Sequence, residues 1–197
     1  MIQPFDYFDH NEISLMKKVL FILSELDDDD IDWILETSER EHLPKGTVLI
    51  QQGQAINVVY ILLEGDLSVT TTAADGREIA VLSSGEVVGE MSFIDTRPPS
   101  ATVTAKTEAL VLSIPRSHLA IKLKQDVGFA SRFYRALAIF LSDRLRFAVH
   151  LIGNSNPQPL SSPDGNLNRE AKDTVAIAQT RLDWMLRRLK GGMEVEQ

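Results

Sequence analysis

The sequence predicts a mainly β domain, a sandwich or barrel, with helices at both ends (α+β). Two observations carry this. Between Pro44 and Ile114, short runs rich in β-branched residues are interrupted by glycine-centred turns. On either side of that stretch, apolar residues recur at helical spacing instead. Helical runs do not alternate with the strands, so a parallel α/β sheet is not expected.

Residues 11–43 read as helices, with Ile13, Met16, Leu20 and Leu23 on one face. The run Asp27-Asp28-Asp29-Asp30 precedes Ile31, Ile34 and Leu35, and carboxylates suit the positive end of a helix dipole. A calcium loop would need a glycine and a distal glutamate that this run lacks. Strands are expected at 47–51, 58–63, 67–72, 79–82, 101–105 and 110–114, and Asp75-Gly76 marks a hairpin. Helix returns over 117–124 and again over 128–152. There Tyr134, Ala138, Leu141, Leu145, Ala148 and Ile152 form a packing seam, widened by Phe133, Leu137 and Phe140. The division expected is a helical segment 1–43, a barrel 44–125, a long helix 126–152, a linker 153–167, and a final helix and tail 168–197.

The 197 residues carry a net charge of −8 and no cysteine. An acidic chain is a poor general partner for nucleic acid. Without cysteines, thiol catalysis, disulfides and iron–sulfur ligation are excluded. The acidic start Met1–Asp6 is no secretory leader, and no apolar run approaches the length that spans a bilayer. His10, His42, His118 and His150 are scattered, without a nucleophile or metal-ligand pattern. A cytoplasmic protein without enzymatic activity is expected.

The most informative segment is Gly89-Glu90-Met91-Ser92-Phe93-Ile94-Asp95-Thr96-Arg97-Pro98-Pro99-Ser100-Ala101-Thr102-Val103-Thr104-Ala105. It resembles the phosphate-binding cassette of the cyclic nucleotide-binding domain family. Pro44-Lys45-Gly46-Thr47-Val48-Leu49, Val59-Tyr60-Ile61-Leu62-Leu63-Glu64-Gly65-Asp66 and Gly85-Glu86-Val87-Val88 resemble other parts of that domain in the same order. The resemblance covers about residues 20–150. It implies a jelly-roll barrel (a double-stranded β-helix) with N-terminal helices and long C-terminal helices. It further implies a ligand site at Gly89, Glu90, Met91, Ser92, Ser100 and Ala101. There a short helix presents N–H groups to a cyclic phosphate and Glu90 accepts from a ribose hydroxyl.

One position departs from the family pattern. The phosphate-pairing arginine falls on Pro99, which offers neither charge nor N–H. Arg97, two residues earlier, is the candidate substitute; as an ordinary loop residue it would simply be solvated. The reading from resemblance is a regulatory receptor with cAMP, or another cyclic nucleotide, as candidate ligand and no other cofactor or metal. It would signal through its C-terminal helices to a protein partner, as a homodimer. The alternative is a degenerate domain that binds no cyclic nucleotide and serves as a dimerisation or interaction scaffold. After Ile152 the sequence shows a linker and one helix, not the two packed helices of a helix-turn-helix, so no DNA contact is expected. Arg181, Arg187, Arg188 and Lys190 read as basic residues suited to a helix C-terminus.

Overall fold

The computed structural model describes residues 24–153 and residues 180, 181, 184, 185, 187 and 188. The expected helix over 11–23, the linker beyond Gly153 and most of the final helix lie outside the described residues.

The first helix, α1 (Asp28–Thr37), starts as its charges dictate. Asp27 is the N-cap and accepts from the Asp30 N–H at 2.9 Å, while the Asp30 carboxylate accepts from the Asp27 N–H at 3.0 Å. The helix is shorter than the periodicity predicts. At Ser38 the backbone turns extended, its N–H closing on the Ile34 carbonyl. Glu39–Leu43 then forms strand β1 instead of continuing the helix, so β structure begins ahead of Pro44. The physical reason is tertiary. Glu39, Arg40, Glu41 and His42 carry no apolar alternation, but β1 is an edge strand whose backbone pairs with a largely apolar, buried neighbour.

The remaining strands are β2 (Val48–Ile50), β3 (Val58–Glu64), β4 (Leu67–Thr70), β5 (Glu78–Leu82), β6 (Val87–Val88), β7 (Thr102–Ala105) and β8 (Ala109–Pro115). They make two four-stranded antiparallel sheets, β1-β8-β3-β6 and β2-β7-β4-β5, the jelly-roll architecture expected. Two apolar clusters follow from the alternation of the strands. Leu62 and Val111 point between the sheets, with Leu67, Leu82, Val88 and Val103. Ile61, Leu63, Leu112 and Ile114 point out of the same strands onto the helices, with Ile31, Ile34, Phe129, Phe133 and Leu137. β3 and β8 are buried on both faces, which is why they read as largely apolar runs, broken within β8 only by Ser113. At the β3–β4 turn Gly65 has φ +87°, and a side chain there would collide with the Glu108 carbonyl. The β4–β5 hairpin closes through a 3₁₀ turn at Thr72–Ala74 with Asp75 left-handed, a longer loop than the two-residue turn that Asp75-Gly76 suggests.

Between β6 and β7 lies a short helix, α2 (Glu90–Asp95); after β8 come α3 (Arg116–Gln125) and α4 (Val127–Gly153). An aromatic chain ties these layers together. Trp33 of α1 meets Phe129 edge-on at 5.3 Å, Phe129 stacks on Phe133 at 5.7 Å, and Phe133 meets Phe93 of α2 at 6.3 Å. The described residues of the final helix return to this layer. Met185 is fully buried in the helical cluster, Arg181 donates to the Ser24 and Leu26 carbonyls and pairs with Asp28, and Arg188 pairs with Asp32. Arg181 and Arg188 thus face the acidic first helix, beyond suiting a helix end.

Candidate functional site

Gly89 sets the entry to α2. It takes φ +87° at the N-cap, and a Cβ there would meet the Val58 carbonyl oxygen at 3.0 Å and Ile56 Cδ1 at 2.9 Å. Backbone against backbone at this spacing is open to glycine alone. The far end of α2 is pinned by Arg116, which donates to the Ser92 carbonyl at 2.6 Å and the Ile56 carbonyl at 2.8 Å. The returning loop is stitched to the second sheet: Pro99 O accepts from the Gly53 N–H at 2.9 Å and Ser100 O from Thr71 Oγ1 at 3.3 Å.

Between α2, this loop, strands β4 and β5, and α4 lies a cavity of about 410 Å³. Gly89, Glu90, Met91, Ser92, Ser100 and Ala101 all line it, as does Pro99. Its walls are otherwise largely apolar, with Ile50, Val69, Leu82, Val88 and Val103 contributing. An apolar concavity with a few convergent polar groups is what a small-ligand site requires. Arg97 stands elsewhere. Its side chain is 83% exposed and pairs with Asp95 of the same loop, at 3.7 Å. The structure does not bring it to the cavity.

The charges that do face the cavity are Glu86, Glu90 and Arg144. Glu90 is 3% exposed. Arg144 of α4 donates to Glu90 Oε1 at 2.7 Å, to Glu86 Oε2 at 3.3 Å and to the Val87 carbonyl at 3.3 Å, and its guanidinium lies over the Phe140 ring at 4.1 Å. Burial pushes the Glu90 carboxyl above the usual range; Arg144 opposes that shift and Glu86 adds to it.

Arg144 is the residue that motif reading misses, since it sits 54 positions from Glu90. A signal was present. The inward stripe Phe133, Leu137, Phe140 steps by four and three, and the next position on it is Arg144. A guanidinium on the buried stripe of a helix needs a buried partner.

Among the described residues no helix is long and apolar enough to cross a membrane. Residues 40–126 match the family model for the cyclic nucleotide-binding domain. The N-terminal domain of a transcriptional regulator from Streptomyces coelicolor is similar at 30% identity. The match covers 64% of this chain and 94% of that one, with a TM-score of 0.55. A cyclic nucleotide-binding domain from Methylobacillus flagellatus shares the fold at 20% identity, over 75% of this chain and 87% of that one, with a TM-score of 0.64. The cAMP-activated global transcriptional regulator of Salmonella typhimurium is 26% identical over 155 residues, 70% of this chain and 74% of that protein. Against the uncharacterised NTE family proteins of Mycobacterium tuberculosis, 28% identical over 120 residues, the chain covers only 20% of their length.

Proposed function

The chain belongs to the cyclic nucleotide-binding domain family, and from that premise we propose that it is a non-enzymatic receptor for a small ligand, with cAMP as the first candidate. One observation carries the reading. The cavity has the cassette residues on one side and α4 on the other, and the Glu90–Arg144 pair joins the two. A ligand entering between them bears on both. The signal then passes along α4, and through the chain's C-terminal helices to a protein partner, as a shift between two positions of one helix. The aromatic contact from Phe93 to Phe133 gives α2 a second hold on α4.

Calorimetric titration with cAMP and cGMP tests this. Saturable heat at micromolar to millimolar ligand is expected. No heat and no thermal shift with either compound sinks the cyclic-nucleotide reading. The second reading, a scaffold of the same fold that binds no cyclic nucleotide, draws on Pro99, which occupies the cavity wall where the family pattern has a cation. The same titration separates the two.

In this reading the receptor pairs with a second copy of itself along α4. Tyr134, Leu145 and Val149 are 51%, 66% and 60% exposed there, an apolar strip that a helix exposed only to water would not keep. Sedimentation velocity is expected to show a dimer, and Leu145→Glu to shift it to monomer by placing a charge in the seam. A wild-type monomer at tens of micromolar would refute the pairing.

A further inference from the structure

We propose that Arg144 is the cation of this ligand site, carried by the output helix in place of the loop that holds Pro99, so that an anionic ligand is held by α4 directly. The inference rests on the receptor reading above. Among the described residues lining the cavity, Arg144 carries the one positive charge. Its side chain keeps 32% of its surface exposed, whereas its carboxylate partners Glu90 and Glu86 keep 3% and 7%. All three line the cavity, and the guanidinium is the most accessible of them, so it is the group an entering anion can reach. The planar fork suits a phosphate oxygen pair as well as a carboxylate.

Two carboxylates share this one guanidinium, and the contacts are unequal: 2.7 Å to Glu90 against 3.3 Å to Glu86. An anion competes for the weaker side. The Arg144–Glu90 contact can persist while the Glu86 contact is exchanged. This makes ligand charge, and not only ligand shape, a force on α4. A neutral molecule of the same outline would fill the apolar walls and leave Arg144 where it is. The site thus selects an anionic ring compound over its neutral counterpart through a residue far from the cassette in sequence.

The test compares cAMP with adenosine, which keeps the base and sugar and lacks the phosphate, by titration calorimetry on the full chain. Wild type is expected to prefer cAMP. Arg144→Gln is expected to shrink that preference by about ten- to a hundredfold, the worth of a charge-assisted contact. Arg144→Lys, which keeps charge but not the fork, is expected to fall between them. It also serves if the glutamine variant melts early. A glutamine variant with the wild-type preference, or one that binds cAMP more tightly, overturns the proposal by showing that Arg144 only plugs the cavity. Equal affinity of the wild type for both probes overturns it too while leaving the receptor reading intact. No binding of either probe removes that reading, and the inference with it.

Discussion

Arg132→Ala is expected to destabilise the protein by about 3 kcal/mol, the order found when one partner of a buried ion pair is removed. Arg132 of α4 donates from Nε to Asp30 Oδ2 at 2.6 Å and from a terminal nitrogen to Asp30 Oδ1 at 2.8 Å, and also reaches Asp27 at 2.9 Å. Asp30 is 2% exposed. Alone it would be a buried carboxylate between α1 and α4, held only by the Asp27 N–H. Arg132 itself is one-third exposed, so the loss falls mainly on the aspartate side. For a chain of this size the melting temperature is expected to drop by roughly 6–12 °C. Removing both groups, as in Asp30→Ala with Arg132→Ala, is expected to recover part of the loss, because the stranded charge is gone. Burial alone would raise the Asp30 carboxyl, but the hydrogen bonds and charge of Arg132, with the Asp27 N–H, hold it below its ordinary 3.8. The contribution is therefore complete above that ordinary value and is lost as pH falls through the lower native one. Thermal melts between about pH 3 and pH 7 should show wild type converging on the variants at the acid end. A variant that melts with wild type at neutral pH would refute the account.

This pin bears on function because α4 is held at several points along its length. Near its start it is tied to α1 by Arg132, in the middle to α2 through Phe133 and Phe93, and further on to the cavity by Phe140 and Arg144. The ties differ in kind. The first two are local to the helical layer. The last reaches into the space a ligand would fill. Under the receptor reading proposed above, a ligand that exchanged the last tie while the first two held would let α4 pivot.

The sequence makes the barrel legible because its strands obey simple rules. β3 and β8 read as largely apolar runs since both faces are buried, and glycines mark the turns between the others. β1 is not legible, because Glu39-Arg40-Glu41-His42 owes its conformation to the partner strand and not to its own pattern. The cavity's composition is half legible. Glu90, Ser92, Ser100 and Ala101 stand together in one segment that resembles a known cassette, and all of them line the cavity. Arg144 does not belong to that segment. Looking near Pro99 for the missing charge leads to Arg97, which solvent holds, because proximity in sequence is a poor guide across a helix that folds back over the barrel. What identifies Arg144 is a helical rule applied one step further, that the residue after Phe140 on the inward stripe should be apolar and is not.

Gly89→Ala joins the fold to the site, and it is expected to cost about 2–4 kcal/mol, summing a left-handed alanine with the contacts its Cβ would make. At φ +87° the new methyl would lie 3.0 Å from the Val58 carbonyl oxygen and 2.9 Å from Ile56 Cδ1. The isoleucine end can swing aside. The carbonyl belongs to β3, at the centre of its sheet, and is not free to retreat. The strain is therefore relieved by moving α2, which starts at the next residue. Glu90 is that residue, and a displacement of a few tenths of an ångström at Gly89 lengthens the 2.7 Å contact to Arg144. Ligand affinity is thus expected to fall along with stability, whereas Arg132→Ala, remote from the cavity, should lower stability with little effect on affinity measured well below its melting temperature. The two variants compared by thermal melting and by titration with cAMP separate damage to the fold from damage to the site. If Gly89→Ala keeps wild-type affinity while losing stability, the tight approach of α2 to β3 does not position Glu90, and the coupling argued from the Glu90–Arg144 pair fails at its first link.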